Sequence, residues 1–342
     1  MRKFRLGALL VSAVLAAALA ACSGAPAGNS GADGQPTGGQ QASQQQTPAG
    51  QGGAAQSGAG QPAGESGETV YPITLIDGAG REVTLAAEPQ RILSLGPSAT
   101  EAIFALGRGD RLVGRTDWCN FPEEALSVPS VGSLFPPDYE RILETEPDLV
   151  VMIEGSVDVR EKLEQEYGLQ VFVYAPATFE QLFHQMVALG QALNAREAAE
   201  AIVAEMRAEV AGIEAKTASL TDRPVVFYVV WPDPLSTAGP GSFIDDMIRI
   251  AGGVNAAGDA GSPWPTFSVE QLIAADPDVI VAGSQALAQE ILTRPGWESI
   301  KAVRNGRVVS VPNEDIVVRP GPRLSEGLRW FAATLHPDLF QP

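Results

Sequence analysis

Apolar positions along this chain recur with two different periods. The longest regular stretch runs from Asn194 to about Leu220. There Ala199, Ile202, Val203, Met206, Val210 and Ile213 fall on one stripe of a 3.6-residue helix. Asn194 suits an N-cap, with Glu197 three residues on as in a capping box. No proline interrupts the pattern before Pro224. At 1.5 Å per residue such a helix spans roughly 35–40 Å, about the width of a domain. The same pattern also fits an ordinary surface helix of one α/β domain.

Before this helix, short apolar runs alternate with amphipathic ones. Residues 71–85 alternate like a β-hairpin with Asp77-Gly78 at its turn. Strands are expected at 91–95, 112–115, 148–153 and 170–174. Helices are expected at 99–106, 138–144, 157–167 and 179–193. Ser98 is the expected N-cap of the first helix, and Gly107 ends it. Beyond the long helix, strands are expected at 224–230, 278–282 and 307–311. Helices are expected at 243–251, 269–275, around Glu290 and at 324–335, with loops over 231–242 and 312–323.

The two halves resemble one another. The run YERILETEPDLVV from Tyr139 aligns without a gap on VEQLIAADPDVIV from Val269. Each reads as a helix, an acidic-Pro-Asp turn and a buried strand. This is a weak internal repeat of about 130 residues, with the long helix between its copies. Alternating strands and helices imply parallel, doubly wound sheets. The expected fold class is therefore α/β, with two Rossmann-like lobes joined by one long backbone helix. Ligands of such sheets bind at the carboxyl ends of the strands, and a cleft between two lobes is a natural site.

The first 21 residues change the picture of where the chain works. Arg2, Lys3 and Arg5 form a positive n-region, and residues 9–20 a short apolar h-region. Small residues then lead to Cys22. This pattern reads as a secretory signal, too short for a comfortable membrane span. The cysteine at the cleavage point resembles a bacterial lipobox, which makes Cys22 the expected lipid-modified first residue. Residues 22–69 are almost entirely Gly, Gln, Ser, Ala, Pro and Thr, the composition of a disordered tether with an r.m.s. span of about 35–40 Å. The remainder divides into a lobe at 70–193, the connecting helix at 194–220 and a second lobe at 221–342.

Charge excludes some partners. The 342 residues carry a net charge of −18, which becomes −21 when residues 1–21 are removed. That disfavours nucleic acid and anionic membrane surfaces, so membrane attachment is expected only through the lipid. With Cys22 lipidated, Cys119 has no disulfide partner within the chain.

Catalytic patterns are absent from the sequence: it has no GxSxG, no P-loop lysine motif and no HExxH. His184 lies on an expected amphipathic helix and His336 in a C-terminal turn. A triad through His336 and Asp338, or a chance carboxylate dyad, is weaker than a surface or capping reading. Two histidines and one unpaired cysteine also fall short of a zinc or manganese site. Tryptophan placement is more informative. Trp118, Trp231 and Trp264 each lie in a loop near proline. Rigid loop aromatics suit a broad, flat ligand, although they also serve to cap a core. Trp297 and Trp330 sit in helical settings and read as packing.

RILSLGPSATEAIFALGRGDRLVGRTDWCNFPEEA, VGSLFPPDYERILETEPDLVV, WPTFSVEQLIAADPDVIV and RPGPRL together resemble the periplasmic binding proteins of ABC importers for vitamin B12, haem and ferric siderophores. The likeness covers about residues 90–340, and the vitamin B12 binders are its nearest pattern. It implies a two-lobed clamp with no enzymatic activity, whose rigid helix limits closure. It implies aromatic ligand contacts at Trp118 and Trp264 and a polar contact near Asp315. Phe135 stands beside a missing family tryptophan near Leu134, and Trp231 falls where a family phenylalanine lacks a clear match. The resemblance further implies that one glutamate at the top of each lobe, Glu140 and Glu270, docks into an arginine pocket of the permease.

The expected role is a monomeric, lipid-anchored extracytoplasmic protein that delivers a corrinoid to a permease dimer with its ATPase. A ferric siderophore is the main rival ligand. Anionic siderophores call for cleft arginines, and Arg115, Arg319 and Arg323 are candidates, so Arg319 joins the expected ligand contacts. Haem calls for an axial Tyr or His, which no loop position clearly supplies. An extracytoplasmic hydrolase on a similar scaffold is the remote alternative. Cys119 stands outside the family pattern and reads as a small buried residue.

Overall fold

The computed structural model describes residues 67–340 apart from 154 and 156. The leader, Cys22 and the tether up to residue 66 lie outside the described residues. The described chain opens with the antiparallel hairpin β1 (Ile73–Ile76) and β2 (Glu82–Leu85), in which Ile73 pairs with Leu85. The turn is held by Asp77, whose carboxylate accepts from the backbone of Ala79 and Arg81 and from the Arg81 guanidinium.

The first lobe follows as β3 (Ile92–Leu95), α1 (Pro97–Ala105), β4 (Leu112–Arg115), α2 (Tyr139–Glu144), β5 (Leu149–Met152), α3 (Val157–Gln165), β6 (Val171–Val173) and α4 (Phe179–Ala192). Its strands are parallel in the order β4-β3-β5-β6. After the long helix α5 (Arg196–Thr217), the second lobe begins with β7 (Val225–Val229). A two-residue-strand hairpin follows, β8 (Trp231–Pro232) and β9 (Leu235–Ser236). Then come α6 (Phe243–Ile250), β10 (Val254–Asn255), α7 (Val269–Ala275), β11 (Val279–Ala282), α8 (Gln285–Leu292), α9 (Lys301–Arg304), β12 (Val308–Ser310), α10 (Asp315–Val318) and α11 (Leu324–Leu335). Its main sheet is again parallel, in the order β10-β7-β11-β12. Counted within each lobe, both sheets run second-first-third-fourth.

The repeat extends to single hydrogen bonds. Glu146 and Asp276 end equivalent helices in left-handed conformations, with φ of 44° and 39°. Two residues later, Asp148 accepts from the backbone N–H groups of Gln90 and Arg91 at 2.7 and 3.0 Å. Asp278 accepts from that of Val225 at 2.8 Å. Each aspartate thus ties the third strand of its lobe to the start of the first.

Successive residues of a strand face opposite sides of its sheet. Leu93, Leu95, Val150 and Met152 pack into an outer core of the first lobe. Phe227, Val229, Ile280 and Ala282 do the same in the second. The alternate positions, Ile92, Leu149 and Val151 in one sheet and Val226, Tyr228, Val279 and Val281 in the other, belong to one continuous core. That core also takes in residues of α4, α5, α6 and α11. Ala199, Val203, Met206 and Ile213 are the buried stripe of α5, with Ile202 and Val210 half-buried beside them. The long helix, which spans about 33 Å, is therefore part of the shared interior as well as a connection.

Two helix starts differ from expectation. Asn194 adopts φ 54° and terminates α4, a conformation asparagine tolerates. Its side chain accepts from Thr69 N–H at 2.8 Å. Ala195 flanks α5 with no side-chain cap, so the Asn194–Glu197 capping box does not form. In α1, Pro97 takes the first turn and Ser98 is buried inside the helix. Proline there has no N–H to leave unsatisfied, and the carboxylate of Glu101 is free for another use.

Candidate functional site

Glu101 projects from α1 of the first lobe and is 3% exposed. Two arginines from the segment before α11 in the second lobe close on it. Arg323 binds in a fork, Nε to Oε2 at 2.9 Å and Nη2 to Oε1 at 2.7 Å. Arg319 adds Nη1 to Oε1 at 3.0 Å. The remaining donors of Arg319 reach Asn120 Oδ1 at 2.8 Å, Asp315 Oδ1 at 3.0 Å and the Trp118 carbonyl at 3.4 Å. The Phe121 ring lies 3.7 Å from the Arg323 guanidinium, a cation–π contact. Two guanidiniums and two carboxylates balance, so the cluster carries no net charge.

The four aromatics Trp118, Phe135, Trp231 and Trp264 all lie on connections that leave the carboxyl ends of strands. Trp118 follows β4 and is 39% exposed. Phe135 lies later in the same connection, half-buried against the outer core of its lobe. Its ring covers Gly155 just beyond β5, where any Cβ would collide with it. Trp231 follows β7 and donates from Nε1 to the Asp233 carbonyl at 2.7 Å. Trp264 occupies the β10–α7 connection, the counterpart of the one holding Phe135. It packs edge-on to Phe243 with ring centroids 5.5 Å apart. Backbone bonds from Thr237 to Pro265 and from Gly239 to Pro263 stitch the Trp231 hairpin to the Trp264 loop. Arg319 therefore links Trp118 to Asp315, and backbone bonds join the Trp231 segment to that of Trp264. Phe135 stands apart at the end of β5.

Arg319, an expected ligand contact, already has partners within the protein. Its guanidinium is held by Glu101, Asn120 and Asp315, and its side chain is 11% exposed. Asp315 keeps 30% of its side chain exposed while holding Arg319. Arg115 is likewise committed, to the carbonyls of Ala125 and Thr116. Cys119 is fully buried, with Sγ 3.1 Å from Thr116 Oγ1.

Glu314 was not foreseen. It precedes α10, and its carboxyl covers Gly283 at the end of β11, where a Cβ would collide with it. The buried Tyr228 of the adjacent strand β7 lies beside it. Burial and the neighbouring Asp315 push the Glu314 carboxyl above the usual carboxylate range. Burial, and then the Glu314 carboxyl, push the Tyr228 phenol well up. The only sequence signal was an acidic pair in a segment read as loop. Glu101 was missed for a related reason: it reads as a third-position helix glutamate.

Neither histidine joins this region. His184 pairs with Glu180 on α4, and His336 ends α11 with Nε2 3.3 Å from the Gly252 carbonyl. Glu140 and Glu270 are the second residues of the equivalent helices α2 and α7, and both are exposed. Asp138 and Ser268 cap those helices from the same relative position. The backbone N–H of Glu270 and the Ser268 hydroxyl hold the Glu270 carboxyl below its ordinary range.

Paired parallel sheets of identical order, a shared helix and aromatic-bearing loops at the strand ends define a two-lobed binding protein. Residues 92–314 match the periplasmic binding protein family, and the chain belongs to it. It is 34% identical over 279 residues to the ABC transporter substrate-binding lipoprotein YvrC of Bacillus subtilis strain 168, covering 80% of this chain and 88% of that one. It is 31% identical over 278 residues to a cobalamin-binding protein of Halobacterium salinarum, covering 78% and 74%. Among solved structures, the periplasmic haem-binding protein RhuT of Roseiflexus sp. RS-1 in apo form superposes with a TM-score of 0.65 at 28% identity, covering 74% and 99%. The protein is thus an ABC transporter substrate-binding protein, of a family that works outside the cytoplasm and partners an ABC permease and ATPase. No helix among the described residues is long and apolar enough to cross a membrane.

Proposed function

We propose that this protein captures a corrinoid between its two lobes and delivers it to its ABC importer, acting as a monomer held at the membrane by a lipid on Cys22. Trp118, Phe135, Trp231 and Trp264 would supply apolar faces, and Asp315 a polar contact. Arg319 would position Trp118 and Asp315 instead of meeting the ligand. Glu140 and Glu270 would dock the loaded protein on the permease.

The observation that carries the choice of ligand is the commitment of the cleft arginines. Arg319 and Arg323 are paired with Glu101 and Asp315, and Arg115 keeps its charge but donates to the loop carbonyls of Ala125 and Thr116. An anionic ferric siderophore would have to displace these partners, whereas an amide-rich, near-neutral corrinoid would not. The haem reading lacks an axial ligand. Tyr174 and Tyr228 are buried, Tyr71 bonds the Ala192 carbonyl, Tyr139 and Tyr167 pack on each other, and both histidines lie elsewhere. The cobalamin-binding relative supports the same choice.

Uptake of radiolabelled cobalamin by cells lacking the gene tests this function. Restoration by the wild-type gene is expected. A Cys22→Ser variant should be released from the membrane and should restore uptake poorly. Cells that take up cobalamin equally well without the gene would refute the proposal.

A further inference from the structure

The repeat offers a way to separate exposed residues kept for a partner from those that merely face solvent. In α2 and α7 the burial sequence is the same at every paired position from Tyr139/Val269 to Thr145/Ala275. Ile142 and Leu272 are the buried anchors. Four paired positions are exposed. At two of them the chemistry has diverged: Arg141 faces Gln271, and Glu144 faces Ala274. At the other two it is kept: glutamate at 140 and 270, and a branched aliphatic at 143 and 273.

Leu143 is 37% exposed and Ile273 is 38% exposed. A lone exposed aliphatic needs no explanation. The same aliphatic in both lobes does, because it lies three residues after the glutamate in each helix. That spacing puts acid and aliphatic on one helix face. Ile142 and Leu272 are the fully buried anchors of these helices, while more than a third of Leu143 and of Ile273 stays open to solvent.

We propose that Glu140–Leu143 and Glu270–Ile273 are two copies of one docking unit, an acidic group with an apolar anchor one turn on, that address a two-fold-symmetric partner. The proposal rests on the permease-docking reading of the two glutamates and extends it. Each half of the permease would present a cationic pocket beside an apolar shelf. The carboxylate steers and sets register, while the buried aliphatic slows dissociation. A partner without two-fold symmetry would have no use for the same pair on both lobes.

The test uses the full-length protein and the importer encoded beside its gene, reconstituted in nanodiscs. Affinity is measured across salt concentrations for four double variants. Glu140→Ala with Glu270→Ala should weaken the complex about 100-fold and remove most of its salt dependence. Leu143→Ser with Ile273→Ser should weaken it about ten-fold at every salt concentration. Glu144→Ala with Gln271→Ala, at the diverged positions, should change it less than two-fold, roughly the noise of such scans. Leu143→Ile with Ile273→Leu should restore wild-type binding. If the glutamate pair weakens the complex and the aliphatic pair does not, the docking reading stands and the apolar anchor is refuted. If wild type does not bind, or the glutamate pair has no effect, both fall. If the aliphatic pair instead abolishes self-association in sedimentation, the surface serves a second copy of this chain and the proposal is overturned.

Discussion

Arg323 meets Glu101 through two hydrogen bonds of 2.9 and 2.7 Å, and the two residues lie 222 positions apart in different lobes. The carboxylate is 2% exposed at its side chain and the guanidinium 11%. Removing one member leaves buried charge without its partner, which costs about 3–5 kcal/mol. Glu101→Ala should lower the free energy of unfolding by that order in urea titrations. Arg319→Ala should cost less, because Arg323 still satisfies Glu101.

The continuous core beneath both sheets predicts cooperative unfolding. Far-UV circular dichroism reports both lobes, while four of the five tryptophans, Trp231, Trp264, Trp297 and Trp330, lie beyond α5. The two signals should give one coincident transition. Met206→Ala, at a position 3% exposed in that core, should shift it by about 2–5 kcal/mol. Glu205→Pro, on the exposed side of α5, should cost about 3 kcal/mol or more and impair uptake more severely than Met206→Ala.

Trp118 and Trp264 should separate binding from stability. Trp118 is 39% exposed, so Trp118→Ala should leave stability within about 0.5 kcal/mol and lower cobalamin affinity at least ten-fold by calorimetry. Trp264 packs edge-on to Phe243, so Trp264→Ala should lower both, with a stability loss of about 3 kcal/mol.

Glu314 predicts a pH dependence of defined sign. Its folded-state pKa lies above the ordinary value of 4.5, so the folded protein binds more protons than the unfolded chain in the interval above that value. The contribution of this group is fully present below about 4.5 and is lost as pH rises through the raised value. In parallel denaturation series, wild type should lose stability relative to Glu314→Gln across that interval and hold a constant difference above it. Acidic groups with lowered values, such as Asp278, slope the other way, so the difference between the two proteins is the quantity to compare.

Much of the fold was legible because local pattern and tertiary role coincided. Val269–Ala275 and Leu324–Leu335 occupy their expected spans, and the helices of the Tyr139 and Val269 repeats both start at a side-chain N-cap, end at a left-handed acidic residue and share one burial pattern. Short elements escaped. β8, β9 and β10 are two residues each, and α9 and α10 four, too brief for a period to register. Asn194 misled because an asparagine that caps one helix can equally end the previous one in the left-handed region. In the site, exposed loop aromatics were visible as Trp-Pro neighbourhoods. The inter-lobe cluster was not, because the pairing of Glu101 with Arg319 and Arg323 joins segments far apart in sequence, and the charges alone suggested free arginines.

The choice of ligand rests on those arginines being occupied, and one comparison tests it directly. Isothermal calorimetry of the purified protein against cyanocobalamin, haem and a ferric hydroxamate siderophore, under one buffer condition, should give a dissociation constant below about 1 μM (about −8 kcal/mol) for cobalamin alone. Tight binding of the siderophore or haem with no heat from cobalamin would contradict the account.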